Sequence, residues 1–310
     1  MAYDHHSSDG RFLGWIAPEL RDAGLVMVED HADGMNRESG GHRRSSTPPH
    51  ALGDARSLVA RLAGKRLAVF LDYDGTLTPI VDRPEDAIIS DRMREVVRGL
   101  ARRCTVCVVS GRDRVVVQRL MGVDDLVVAG SHGFDIWSPE GGAIEREEGA
   151  GFTDLLGRVT DTLRQGVASV HGALVEPKKS SVAVHYRLVD ERQRPRIKEL
   201  VDSLLAVNPQ ALKITPGKMV YEIQPNLDWD KGKAVLYLLE ALGLDRDDVL
   251  PLYVGDDITD EDAFRALAGR GIGILVADPA DPEVAGRTTA AEYLLRNIEE
   301  VENLLDALGR

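Results

Sequence analysis

Two cysteines in 310 residues are too few for a disulfide framework. Cys104 and Cys107 fall inside one apolar run, where residues three apart point to opposite faces of a strand. No second Cys/His pair is placed to complete a tetrahedral zinc site, so buried, reduced thiols are expected, as in a reducing compartment. Long hydrophobic runs are missing as well: nothing approaches the ~18–20 consecutive apolar residues of a membrane span. The first residues, Met1-Ala2-Tyr3-Asp4-His5-His6, show neither the basic nor the apolar segment of a secretory signal. A cytoplasmic protein without a membrane partner is expected. Positive charge is in deficit, with 38 Lys and Arg against 51 Asp and Glu and a net charge of -13. That balance argues against nucleic acid as a partner, and a phosphate-bearing ligand would need a local basic pocket.

What remains is a soluble globular pattern, 43% hydrophobic and long enough for two domains with a core each. Residues 30–49 are mostly Gly, Ser, Arg, His, Asp and Pro and cannot bury enough surface to offset their ordering entropy. A flexible N-terminal extension over 1–53 is therefore expected, with apolar patches at 12–16 and 25–28. A helix near 54–62 follows, then strand 66–72, helix 90–103 with Ser90 as N-cap, strand 104–109, helix 112–120 and strand 126–130. After an interruption the alternation resumes with helix 231–242, strand 250–254, helix 260–268, strand 271–276 and a last helix over about 291–308. Such alternation implies an α/β fold with an open parallel sheet.

Four motifs stand at strand ends or helix entries. The first, Leu71-Asp72-Tyr73-Asp74-Gly75-Thr76, ends an apolar strand, and alternation puts Asp72 and Asp74 on one side of it. Gly75 lets the chain turn sharply, leaving main-chain N–H groups and the Thr76 hydroxyl near the acids. Like charges this close need a proton or a metal, which points to Mg²⁺ and a phosphate-bearing substrate. The second, Ser110-Gly111-Arg112, follows the strand 104–109, where a hydroxyl and an N–H can bind a phosphoryl oxygen. Asp230-Lys231-Gly232-Lys233 opens a helix, and its lysine can reach the site as a compact charge. The fourth, Gly255-Asp256-Asp257 with Asp260 beyond, closes another apolar strand with oxygen donors suited to a hard cation.

In this order the four motifs resemble the haloacid dehalogenase superfamily of phosphotransferases, from about residue 66 to the end of the chain. The resemblance implies a Rossmann-like core in which Asp72 attacks phosphorus, giving an aspartyl-phosphate. Asp74 would protonate the leaving oxygen and later activate water. It further implies Mg²⁺ bound by Asp72, the main-chain carbonyl of Asp74 and Asp256, with support from Asp257 or Asp260. Lys231, Ser110 and their neighbours Thr76, Gly111 and Arg112 would hold the phosphoryl group.

Between Asp135 and Tyr221 the chain reads as an inserted α+β cap: helix 152–169, a strand-like segment 181–187, a helix near 191–207 and two further apolar runs. The expected division is core 54–136, cap 137–224 and core 225–310. Four segments are similar to trehalose-6-phosphate phosphatases: Leu77-Thr78-Pro79-Ile80, Gly130-Ser131-His132-Gly133, the stretch from Glu176 to His185-Tyr186-Arg187, and Tyr221-Glu222-Ile223-Gln224-Pro225. The resemblance implies a mobile cap closing over trehalose 6-phosphate, with Glu222 and either Lys178 or Lys179 gripping it, and a functional link to a trehalose-phosphate synthase. From the residues alone, His185 and Arg187 share the polar side of an alternating strand and Lys178 and Lys179 follow Pro177 in a turn, so structural roles are the default for them. His132 either approaches the pocket from the edge or caps the bend. Two alternatives stand beside hydrolysis of trehalose 6-phosphate. One is a phosphatase for sucrose phosphate or a glycosyl phosphoglycerate; the other is a non-catalytic sugar-phosphate sensor, which would often lack Asp72 or Asp74.

Overall fold

The computed structural model describes residues 47–145, 152–281 and 288–310. One sheet carries the core. In it β1 (Arg66–Leu71) lies between β2 (Thr105–Val109) and β10 (Val249–Gly255). Beyond them come β3 (Val127–Gly130), β4 (Asp135–Ser138) and β5 (Gly142–Glu145) on one side, β11 (Ile272–Val276) and β12 (Tyr293–Leu295) on the other. The order β12-β11-β10-β1-β2-β3-β4-β5 is parallel from β12 to β3 and antiparallel across β3, β4 and β5.

Side-chain alternation builds two cores from one strand. Leu67, Val69 and Leu71 of β1 join a cluster with α1 (Ala55–Leu62), α2 (Asp91–Ala101), α3 (Arg114–Met121) and α8 (Ile298–Gly309). Ala68 and Phe70 point the other way, against α6 (Lys231–Ala241) and α7 (Asp260–Leu267). Strands covered on both faces need near-continuous apolar sequence, which is why Arg66–Leu71 reads as it does. Ser90 caps α2 by accepting from the Met93 N–H at 3.0 Å. Cys104 and Cys107 are free thiols, and burial pushes Cys104 up to about 12.

A second, antiparallel sheet of order β6-β7-β9-β8 is built from β6 (Leu174–Pro177), β7 (Val182–His185), β8 (Leu212–Gly217) and β9 (Val220–Pro225). Val182, Val184 and Ile223 pack under α4 (Thr153–Val167) and α5 (Arg194–Val207). The opposite face of this sheet looks onto the carboxyl ends of β1 and β10.

Three expectations need correction. Residues 1–46 of the proposed extension lie outside the described residues, as do its apolar patches, but residues 49–52 are pinned: Ala51 N–H donates to Leu294 O and Leu294 N–H to Pro49 O, both at 2.9 Å. Ala51 and Leu52 are buried there because they complete the core beside β12. The expected core–cap boundary at 136/137 falls inside β4, and β4 and β5 both belong to the large sheet, held by the pairing of Ile136 with Ala129 and Ile144. Finally, the expected helix over 291–308 is a strand followed by a shorter helix. Tyr293, Leu294 and Leu295 form β12, and Asn297 starts α8 by accepting from the Glu300 N–H at 3.0 Å.

Candidate active site

Strand adjacency assembles the acids. Leu71 of β1 pairs with Val254 of β10, and the Asp72 N–H donates to Val254 O at 2.9 Å, so Asp72 and Asp256 emerge side by side. Gly75 makes the approach possible: at φ +84 it turns the chain, and a Cβ there would sit 2.1 Å from Asp256 Oδ2. Oxygens of Asp72, Asp256 and Asp260 lie within 4.8 Å of one another, all three residues buried.

One buried lysine offsets part of this charge. Lys231 Nζ, at the first turn of α6, donates to Asp72 Oδ1 at 2.6 Å and to Asp260 Oδ1 at 2.7 Å. Asp230 caps that helix through the Lys233 N–H at 2.8 Å, fixing where Lys231 leaves it. Asp260 is fully committed: Oδ1 also accepts from Tyr253, and Oδ2 accepts from the Asp256 and Asp257 N–H groups at 2.9 Å each. With its four lone-pair directions used, Asp260 organises the cluster while Asp72 and Asp256 remain the better donors to a cation. Burial raises the Asp72 carboxyl well above the usual range, with Asp260 and Asp256 adding to the rise against Lys231. Asp256 is pushed up to about 7, chiefly by burial, with Lys218 opposing and Asp260 adding. Burial opposes ionisation of Lys231, but Asp260 and Asp72 override it and hold the ammonium well above its ordinary value. Oxygen-only donors, crowded and reluctant to ionise without a cation, match a hard divalent metal. Among the described residues Thr76 Oγ1 is buried nearby without a hydrogen-bond partner, one more oxygen in the loop after β1.

Asp74 does not join the carboxylate cluster. Its side chain is gripped by a bidentate fork from Arg112, Nε to Oδ2 at 2.7 Å and Nη2 to Oδ1 at 2.6 Å, at the rim of the cleft. The Arg112 guanidinium also lies 5.6 Å from the Tyr73 ring centroid and donates to Pro84 O at 2.7 Å.

The small sheet supplies the opposite wall. Its register sets Glu176, Ala183, Glu222 and Thr215 in one row across β6, β7, β9 and β8. Lys178 Nζ bonds both Glu222 oxygens, at 2.9 and 3.1 Å, and crosses to Gly111 O at 2.9 Å; the Ser181 hydroxyl donates to Glu222 as well. Burial opposes both charges, yet Lys178 and Glu222 hold each other ionised, the lysine above and the glutamate below the ordinary value. His185 pairs with Glu176 at 2.8 Å. At the hairpin tip between β8 and β9, Lys218 Nζ reaches Asp256 Oδ2 at 2.5 Å. The cleft between the two sheets opens to solvent at its mouth.

Asp72, Asp74, Gly111, Arg112, Glu222 and Lys231 all line this cleft. So do Asp256 and Asp257, although Asp257 Oδ1 accepts from the Ile258 N–H and stands outside the three-carboxylate cluster. Of the two lysines after Pro177, Lys178 faces the cleft, while Lys179 turns out toward Asp135 at 3.4 Å. Thr76 and Ser110 are buried behind the wall, Ser110 Oγ accepting from the Arg112 N–H at 3.2 Å. Glu176 and Arg187, which bound one of the similar segments but received no role there, also line the cleft, as does Lys218, which no motif indicates. Glu176 and Arg187 lie on the polar faces of alternating segments, a signal shared with any solvated residue.

A mostly parallel sheet with acids at the carboxyl ends of adjacent strands, a buried lysine bridging them and an α+β lid define a phosphate-ester hydrolase of the haloacid dehalogenase-like fold. A haloacid dehalogenase-like hydrolase from Bacteroides thetaiotaomicron superposes with a TM-score of 0.55 over 79% of this chain and 98% of that one, at 16% identity. The trehalose-phosphatase family model matches residues 70–297, and the chain belongs to that family. Probable trehalose-phosphate phosphatase 9 of Oryza sativa subsp. japonica is 38% identical, the alignment covering 94% of this chain and 87% of that protein. The C-terminal domain of trehalose-6-phosphate phosphatase from C. albicans shares 23% identity with a TM-score of 0.71, covering 84% and 98% of the two chains.

Proposed function

We propose that this enzyme hydrolyses trehalose 6-phosphate to trehalose and phosphate, using Mg²⁺ and an aspartyl-phosphate on Asp72. The observation that carries the reading is a single cleft with the Asp72, Asp256 and Lys231 cluster at one wall and a buried Lys178–Glu222 pair at the other. Asp72 is aligned as nucleophile by Lys231 on one oxygen, leaving the other free to attack phosphorus. Lys231 steadies the phosphoryl oxygens as charge moves onto them. Asp74, at the rim, gives a proton to the leaving sugar oxygen, then takes one from the water that cleaves the aspartyl-phosphate; the Arg112 fork yields to the leaving group as it arrives. Glu222 accepts sugar hydroxyls and Lys178 donates to them, with Glu176 beside them in the same row. A divalent ion held by Asp72, Asp256 and the main-chain carbonyl of Asp74 would supply charge neutralisation for the transferring group. A synthase making the phosphorylated disaccharide would supply the substrate.

Steady-state rates across a panel of sugar phosphates, with and without Mg²⁺, test this. The expected result is a preference for trehalose 6-phosphate, lost on removing the ion. Preference for sucrose phosphate or a glycosyl phosphoglycerate, or undiminished turnover without divalent metal, would refute it.

A further inference from the structure

The residues after β3 adopt an unusual backbone. Ser131, His132 and Gly133 have φ of +50, +57 and +91, three successive residues in the left-handed region, two of them not glycine. Such strain persists only where the surroundings over-determine it. Here the surroundings are hydrogen bonds to main-chain groups of the bend: Ser131 N–H to Arg112 O at 2.7 Å, His132 N–H to Ser110 O at 2.8 Å, and the Trp229 side chain Nε1–H to His132 O at 3.0 Å. These bonds would form with any side chain at 132, so they account for the bend and leave the imidazole unexplained.

The imidazole lies on Gly111. A Cβ at that position would come within 2.8 Å of His132 Cε1 and 2.9 Å of Nε2, so the ring occupies the space a larger residue would fill. It is part of the cleft wall, and the charges that act on it are Glu222 and Lys178 of the small-sheet wall and Lys231 and Asp260 of the acid cluster. Among the described residues its ring nitrogens take no hydrogen-bond partner. Burial lowers its basicity to about 4, so at neutral pH one nitrogen donates and the other accepts.

We infer that His132 is a specificity-determining residue, its imidazole hydrogen-bonding a sugar hydroxyl between the phosphoryl group on Asp72 and the Lys178–Glu222 pair. The inference rests on the proposal that the substrate is a sugar phosphate and adds a ligand on the core side of the cleft. A polar site that has lost its partner rejects the substrate it was shaped for more than one that never used the contact.

The test uses His132→Asn and His132→Gly, both compatible with the left-handed backbone. For each variant kcat/KM is measured on the sugar phosphate that the wild-type enzyme prefers and on p-nitrophenyl phosphate. The expected loss is at least about fivefold larger on the sugar phosphate than on the small ester, the size of one hydrogen bond to substrate. A smaller difference overturns the inference, because a structural role would damage both reactions alike. If one variant does not fold, the other carries the comparison. The wild-type panel identifies the preferred sugar phosphate independently, so a substrate other than trehalose 6-phosphate would defeat the proposed function without deciding the role of His132.

Discussion

Lys178 and Glu222 are predicted to be energetically inseparable. Their side chains are 7% and 8% exposed, they share two hydrogen bonds, and Lys178 also anchors the small sheet to Gly111 of the core. In Lys178→Met the glutamate keeps only the Ser181 hydroxyl, and in Glu222→Gln the lysine keeps only a carbonyl. Leaving one buried charge without its partner costs about 3–5 kcal/mol. The double variant has no stranded charge, so it is expected to be no less stable than the worse single one. The resulting coupling is at least about 3 kcal/mol, the upper end for residues in contact. Urea denaturation of the four proteins, followed by circular dichroism, measures it. Losses that add within about 0.5 kcal/mol would refute the claim of a buried, mutually dependent pair.

The same geometry has consequences for other residues. His132 ionises near 4 in the folded protein against 6.5 ordinarily, so the unfolded chain takes the proton first. Stability from this residue is full above about pH 6.5 and declines by about 3 kcal/mol as pH falls toward 4. The stability of wild type relative to His132→Asn should fall by about 3 kcal/mol over that window, and parallel curves would contradict it. Lys231→Met leaves Asp72 and Asp260 facing each other, so a loss of about 3–5 kcal/mol is expected in chelator, with a smaller loss in excess Mg²⁺. An equal loss in both buffers would show that a cation there does not stand in for the lysine charge. Because Lys218 sits on Asp256, Lys218→Gln should bind Mn²⁺ about fivefold more tightly by electron paramagnetic resonance, and weaker binding would show that the lysine does not compete.

The parts of the fold that could be read in the sequence are those governed by local rules. Asp72 and Asp256 each end an apolar strand and Lys231 opens a helix, which puts them at the carboxyl edge of an open sheet, and the resemblance of the four ordered motifs is what gathers them into one site. Lys178 and Lys179 are indistinguishable in sequence because the turn after Pro177 hides which one faces inward; the β6–β7 register decides it. The full commitment of Asp260 depends on Tyr253, Lys231 and two N–H groups converging, which no spacing announces. Three apolar residues at 293–295 blend into the helical periodicity of residues 298–309, so β12 shows itself only through its pairing with β11. Lys218 reads as an ordinary hairpin-tip lysine until the tip is seen against Asp256.

The decisive measurement is mass spectrometry of the enzyme rapidly quenched during turnover of trehalose 6-phosphate. A phosphoryl group on Asp72, absent from Asp72→Asn along with activity, is the predicted result. Turnover with no phosphorylated enzyme, or with phosphate on any other residue, would contradict the account.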